Sequence, residues 1–440
     1  MYRLYGAAVR LAWAAVLPYQ AVIALLNGGR PPRLGERLGR PRGCLPGGLA
    51  VHAVSVGEVR LALPLIARLK ERHPGLPVHL TTTTATGRAL AESARDHGGP
   101  GTPESISEPP LDLPGPVARF LQRVAPRAIV IVETEIWPNF LRLCGRDGVP
   151  VILVNGRISP RAFPRYRAAR RLFREALHAV RLFGMQSEED ALRIRLLGAP
   201  AERVRVTGNL KYDLPVPDLP GPQARASLGL GPGEPLFVAG STAPGEEDAV
   251  LGAFEALRGV DASVRLALAP RHPESLPRAE AALRSAGLRV ASYSRRAGSR
   301  PAADGRYDAL LVDVVGVLPE IYAAADIVFV GGSLVPRGGQ NILEPAALGK
   351  PVLFGPHMEN FRSAAAALTE AGGGFVARDG RQLADLAVRL LTDRAGARVA
   401  GTMARRVVES NRGALEHSIR LIEEVLGPPA RSPGLLASRP

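Results

Sequence analysis

The stretch AIVIVETEIWPN, Ala128 to Asn139, decides the fold. Its first five residues are all apolar and mostly β-branched, with no polar alternation. They predict a short strand covered on both faces, which is the pattern of a parallel sheet. Two acids follow at once, Glu133 and Glu135, then Trp137 and Pro138. In extended chain, residues two apart point the same way, so the acids would share a face. A carboxylate at the edge of a buried strand needs a partner. Capping of the following helix is the ordinary alternative.

Outward from this stretch the same grammar repeats. In the first half the predicted strands are Leu49–Val54, Val78–Thr83, Ala128–Val132, Val151–Val154, Leu182–Met185 and Val204–Val206. Helical patterns at Val59–Arg72, Gly87–His97, Val117–Val124 and Arg161–Val180 lie between them. In the second half the strands are Leu236–Ala239, Arg265–Ala269, Arg289–Ser292, Ala309–Val312, Ile327–Val330 and Val352–Phe354. Alternation of this kind predicts an α/β chain with one doubly wound parallel sheet per half. The proline-rich run from Leu214 to Pro222 is the best linker. It divides the chain into domains at 29–213 and 224–426, with the linker at 214–223 and a flexible tail at 427–440. Ligands of such folds bind at the carboxyl ends of the strands.

Composition agrees. A chain of 440 residues suggests two domains. Apolar residues at 46% and charged ones at 22% exclude wholesale disorder and a polytopic membrane protein. Aromatics at 5% argue against a surface that stacks nucleic-acid bases. Lys+Arg at 56 against Asp+Glu at 41 leave a formal charge of +15. Almost all of the basic side chains are arginine, the lysines being Lys70, Lys211 and Lys350. Such a chain suits an anionic partner: nucleic acid, membrane or acidic substrate. Cys44 and Cys144 stand far apart, without CxxC or a His/Cys cluster. That argues against a disulfide scaffold or zinc site and for a reducing, cytoplasmic setting.

Near the N-terminus, Leu11 to Leu26 carries no charge. Arg3 and Arg10 precede it, and Arg30, Arg33, Arg37, Arg40 and Arg42 follow. A spanning helix needs about 20 apolar residues. An anchor or interfacial helix over residues 1–28 is the favoured reading, with the arginines holding the rest on the cytoplasmic side. A cleaved signal segment and a buried core helix are the alternatives.

The loops after the strands carry the chemistry. In HAVSVGEV, His52 to Val59, Ser55, Gly57 and Glu58 sit where strand turns to helix. Gly57 permits a tight turn, and Glu58 in the first helical turn could act as general base or simply favour the helix dipole. TTTTATG (Thr81–Gly87) and NGRIS (Asn155–Ser159) are weaker polar loops, with Thr86 a candidate helix cap. In the second half, GST at 240–242 offers backbone N–H groups to a phosphate, and Arg271 and His272 follow the strand RLALA. The densest segment is GGSLVPRGGQNILEPAALGKPVLFGPHMENF, Gly331 to Phe361. Its glycines, Gly338 among them, allow backbone approach to a nucleotide, Asn341 opens a short predicted helix to Leu348, and Glu344 could accept ribose hydroxyls. P-loop, GxGxxG, HExxH and GxSxG motifs are missing, which disfavours ATPases, dehydrogenases, zinc proteases and α/β-hydrolases.

Taken in order, HAVSVGEV, TTTTATG, ETEIWPN, NGRIS, TGNLKYD, GST, PRHPE and the Gly331–Phe361 segment resemble the 3-deoxy-D-manno-octulosonic acid (Kdo) transferases of lipopolysaccharide assembly. The resemblance implies a GT-B glycosyltransferase fold: two Rossmann-like domains facing a cleft, the first binding acceptor and the second the nucleotide sugar. It implies transfer of Kdo from CMP-Kdo to the 6′-hydroxyl of the lipid A precursor lipid IVA, with inversion, at the cytoplasmic face of the inner membrane. No metal or cofactor beyond the donor is expected. Glu58 matches the family's base, and an essential acid is expected at Glu135, with Glu133 the alternative. Lys211 should face the cleft, and Ser241, Arg271, His272, Asn341 and Glu344 should hold CMP. Gln340 and Val317 depart from the family pattern, standing where a histidine and a glutamate are expected. Five arginines after the anchor, and eight between Arg157 and Arg181 against Glu175 alone, point to anionic lipid headgroups rather than nucleic acid.

Overall fold

The computed structural model describes residues 2, 5–14, 16, 33–99, 101–215, 221–231, 233–296 and 307–427. The chain forms two compact units. One takes Met1–Leu214 together with Arg412–Pro440, and the other takes Pro215–Asn411.

The sheet of the first unit consists of β1 (Leu49–His52), β2 (Val78–Thr81), β3 (Ser105–Ser107), β4 (Ala128–Val132), β5 (Val151–Gly156), β6 (Val180–Met185) and β7 (Val204–Val206). All neighbours pair in parallel, in the order β3-β2-β1-β4-β5-β6-β7. Side chains alternate faces. Leu49, Val51, Ala128 and Val130 enter one core, whereas Ala50, Ile129 and Ile131 enter the other. Helices cover both faces, so the central strand β4 is apolar throughout.

The second unit repeats this plan with β8 (Leu236–Thr242), β9 (Arg265–Pro270), β10 (Val290–Ser292), β11 (Ala309–Leu311), β12 (Ile327–Val330), β13 (Val352–Phe354) and β14 (Gly374–Val376). The order is β10-β11-β9-β8-β12-β13-β14. In each sheet the first strand is flanked by the second on one side and by a later strand on the other. The direction of winding therefore reverses between β1 and β4, and between β8 and β12. At such switch points the connecting helices leave on opposite faces and a crevice opens at the carboxyl ends.

Several expectations need correction. Edge strands β3 (SIS) and β14 (GFV) carry no apolar run, and the sequence pattern does not predict them. Backbone pairing to β2 and β13 makes them strands. The helix expected over Arg161–Val180 is two, Phe163–Ala168 and Arg170–His178, because Ala169 leaves helical geometry at ψ 16. Residues 221–223, assigned to the linker, begin the helix Gly221–Ser227. Pro222 is tolerated there because an N–H in the first turn would have no helical partner. Residues 216–220 lie outside the described residues.

The second domain also ends earlier than 426. The helix Ala414–Leu426 belongs to the first unit. Its Ile419, Leu421, Ile422 and Leu426 join the cluster of Val51, Leu65 and Ile66. Arg72 grips both carboxylate oxygens of Glu416 at 2.7 Å. Asp213 accepts the N–H groups of Gly413 (2.8 Å) and Leu415 (2.7 Å), which fixes the start of this helix. Residues 5–14 are helical, and the Tyr5 hydroxyl donates to Asp112 at 2.7 Å. Much of the anchor expected at 1–28 lies outside the described residues, as does the tail after Gly427. No helix among the described residues is long and apolar enough to cross a membrane.

Asp213→Ala should strand two N–H groups at a helix N-terminus. A loss of about 1–3 kcal/mol is expected, read as a lower midpoint in thermal or urea denaturation.

Candidate active site

Glu58 opens the site. The helix Val56–Arg72 begins earlier than its apolar pattern suggests, so Glu58 is its third residue and Ser55 its cap. Ser55 Oγ accepts the Glu58 N–H at 3.3 Å and donates to Glu58 Oε1 at 2.8 Å. Glu58 Oε2 accepts the Val54 N–H at 2.7 Å. This differs from a capping box in that the carboxylate reaches past the cap to the N–H of Val54 and curls back over the strand end. Glu58 is 9% exposed. Burial pushes its pKa up to about 7, against the two hydrogen bonds that stabilise the anion, and nearby Glu133 and Glu135 push it further. The sequence left two tasks open for Glu58, and these bonds show the structural one.

The two acids after β4 do not lie side by side in extended chain. Glu133 turns into the left-handed region, φ 65, which breaks the expected alternation. Glu133 Oε1 stands 4.0 Å from Lys211 Nζ. Glu135 Oε2 accepts the indole N–H of Trp137 at 2.8 Å. Burial raises the pKa of Glu135, with the Trp137 hydrogen bond opposing and Glu133 adding to the rise. Lys211 is lowered by burial, while Glu133 and Glu58 pull it up and Arg157 pushes it down. Lys211 reaches this place because Asn155, at the end of β5 with φ 55, accepts the Leu210 N–H at 3.0 Å. Thus Glu58, Glu133, Glu135 and Lys211 converge at the β1/β4 switch point, with the arginine of NGRIS, Arg157, beside them. The helix cap in the TTTT loop is Thr84, which accepts the Gly87 N–H at 3.1 Å, not Thr86.

In the second unit the expected residues gather at the carboxyl edge of β8, β9 and β12. Ser241 sits near the end of β8 at φ 54. Four described non-glycine residues have positive φ, and three of them (Glu133, Asn155, Ser241) stand at or just after strand ends in these sites. Such strain concentrates where function over-determines the backbone. Arg271 follows β9, its N–H donating to Thr242 O at 2.9 Å, and His272 beside it is exposed. After β12, Gly338 adopts φ 84 against the Asn360 side chain. The helix that follows is shorter than expected, Leu343–Ala347. Asn341 accepts the Leu343 N–H (3.1 Å) and donates to Glu344 Oε1 (3.0 Å).

Sequence reasoning missed Glu246. Fully buried, it accepts the N–H groups of Ala243 (2.8 Å), Gly332 (2.7 Å), Ser333 (2.9 Å) and Leu334 (2.9 Å). It ties the loop after β8 to the loop after β12. Gly331 must be glycine, since a Cβ would lie 2.5 Å from Thr242 Cα. The backbone donors of Gly332–Leu334 are therefore spent on the protein's own carboxylate. Lys350 is placed apart from the site: its Nζ donates to Ala325 O at 2.8 Å, beside the amino end of β12.

Two parallel sheets with chemistry at their switch points define a GT-B glycosyltransferase fold. The S. aureus MnaA structure with UDP shares it at a TM-score of 0.56, covering 86% of this chain and 97% of that one at 14% identity. A family model for 3-deoxy-D-manno-octulosonic-acid transferase (kdotransferase) matches residues 32–214. The 3-deoxy-D-manno-octulosonic acid transferase of Bordetella pertussis is 38% identical, covering 90% of this chain and 92% of that protein. The corresponding Haemophilus influenzae protein is 32% identical over 87% and 88%. The chain belongs to the Kdo transferase family, and it is an enzyme of Kdo transfer in lipopolysaccharide synthesis.

The raised Glu58 also has a stability cost with a definite sign. Its folded pKa of about 7 exceeds the ordinary 4.5, so the folded state favours the proton. Below 4.5 the group is neutral in both states and costs nothing. Between 4.5 and 7 stability falls, and above 7 the penalty of about 3 kcal/mol is complete. Glu58→Gln should raise the melting temperature at about pH 8 and leave it nearly unchanged at about pH 4.

Proposed function

We propose that the protein transfers Kdo from CMP-Kdo to the 6′-hydroxyl of lipid IVA, with inversion at the anomeric carbon. The observation that carries this reading is Glu58, a buried carboxylate at a switch point beside Glu133, Glu135 and Lys211, where burial pushes its pKa up to about 7. A general base works best when its pKa lies near the operating pH. Glu58 takes the proton of the acceptor hydroxyl as that oxygen bonds to the anomeric carbon. The bond from that carbon to the CMP phosphate oxygen breaks, and CMP leaves with the electron pair. A single displacement inverts the centre.

In this reading Glu135 is the working acid of the ETE block, held for its task by Trp137. Glu133 is then the counter-charge of Lys211. Ser55 caps the helix that delivers Glu58, and Gly57, expected in a tight turn, is instead the second residue of that helix. The second unit binds the donor: Arg271 and His272 meet anionic groups, and Asn341 and Glu344 the nucleoside. Ser241 and Gly338 supply close backbone approach. No cofactor beyond CMP-Kdo enters the scheme.

Arginines support the acceptor side. Arg167, Arg170 and Arg171 line one groove of the first unit together with Tyr5 and Leu172. Cations beside apolar side chains suit a phosphorylated lipid and the anionic inner leaflet. The inner membrane's cytoplasmic face, reached through the N-terminal segment, is the proposed location, and nucleic acid is not a proposed partner.

Incubation with CMP-Kdo and lipid IVA should yield a Kdo-bearing product by mass spectrometry. No transfer, with turnover of a UDP sugar instead, would overturn the reading. Glu58→Ala should lower kcat by about a thousandfold or more while CMP binding by calorimetry is retained. For the wild type, kcat/KM should climb with pH through about 7 as Glu58 loses its proton.

A further inference from the structure

Three rings stand beside the Glu135 carboxylate, those of Trp137, His52 and Phe140. The indole N–H of Trp137 donates to its carboxylate at 2.8 Å. A ring held only by that bond could swing with the loop. Trp137 instead stands edge-on to His52, with centroids 4.9 Å apart and planes at 73°. It meets Phe140 in the same manner, at 6.4 Å and 76°. His52 is the last residue of β1, so the sheet fixes its backbone. Its Nδ1 lies 2.7 Å from the Thr81 hydroxyl, at the end of neighbouring β2.

His52 is 6% exposed, and its Nε2 has no hydrogen-bond partner among the described residues. An orphaned polar atom in a core is costly, and an apolar ring would fill the place at less cost. His52, Trp137, Glu135 and Phe140 line one small enclosed cavity. Burial holds the imidazole down to about 4, so at neutral pH it is uncharged and is no cationic acid for the reaction. What remains is the ring itself, set edge-to-face against the indole.

We propose that His52 is a positioning residue for transfer: its ring locks Trp137, and Trp137 locks the Glu135 carboxylate. Neither ring touches the reacting atoms. The proposal rests on the reading of Glu135 as the working acid.

The chain's tryptophans are Trp13 and Trp137. In a Trp13→Phe background, emission therefore reports on Trp137 alone. His52→Ala should lower kcat about tenfold or more, leave KM for CMP-Kdo within about twofold, and shift Trp137 emission to the red. His52→Phe restores the ring edge and should recover kcat to within about threefold, along with the emission maximum. Trp137→Phe tests the next link without opening the core at His52. It loses the N–H donor and should lower kcat as His52→Ala does.

Full transfer by Glu135→Ala would overturn the role of Glu135 and the proposal with it. An inactive Glu135→Ala beside a fully active His52→Ala or Trp137→Phe would overturn the proposal alone. So would equal losses in His52→Phe and His52→Ala, because the nitrogens and not the ring would then matter.

Discussion

The buried carboxylate of Glu58 is the constraint on which the first unit's site depends. A carboxylate taken out of water must be hydrogen-bonded, paired or neutral. Glu58 is hydrogen-bonded by Val54 and Ser55 yet still rises toward neutrality, because burial outweighs two donors and two other acids stand near. The same charge balance accounts for its neighbours. Three acids at one strand edge would repel one another if all were ionised. Lys211 offsets this beside Glu133, and the Trp137 N–H stabilises Glu135. The parallel sheet makes this possible. Its strands all end on one edge, so loops distant in sequence deliver their side chains to one place.

The second unit treats a buried acid in the opposite way. Glu246 receives four backbone N–H groups, enough to satisfy a carboxylate completely, and it welds two loops into one platform. On that platform stand the Ser241 turn and the glycine-rich approach to Asn341. Two acids in corresponding first-turn regions thus serve different ends. One is saturated by the backbone and structural. The other is held by two donors, the Val54 N–H and the Ser55 hydroxyl.

The closing helix shows how a fold can override chain order. Ala414–Leu426 has a strongly apolar face, and the first unit offers the complementary surface beside Leu65 and Ile66. The ion pairs from Arg72 add orientation more than energy, since they are partly exposed. Asp213 does the positional work, because it joins the last turn before the first crossing of the chain to the first residues after the second crossing.

Sequence alone determined the class of fold, the central strands and the addresses of the site. Short apolar runs ending in Glu133, in the SVGE turn and in GST are periodicity and punctuation, which local chemistry dictates. It also placed Glu58, Lys211, Arg271, Asn341 and Glu344 in the connections that follow strands. Edge strands β3 and β14 were not legible, because pairing and not side-chain pattern makes them strands. Nor were the left-handed turn at Glu133 and the break at Ala169. Only the tertiary structure decided which carboxylate is saturated and which is poised. It also showed that His52 and Trp137, remote from each other along the chain, meet ring to ring. Burial and ring contacts are properties of packing between remote segments, and no local pattern encodes them.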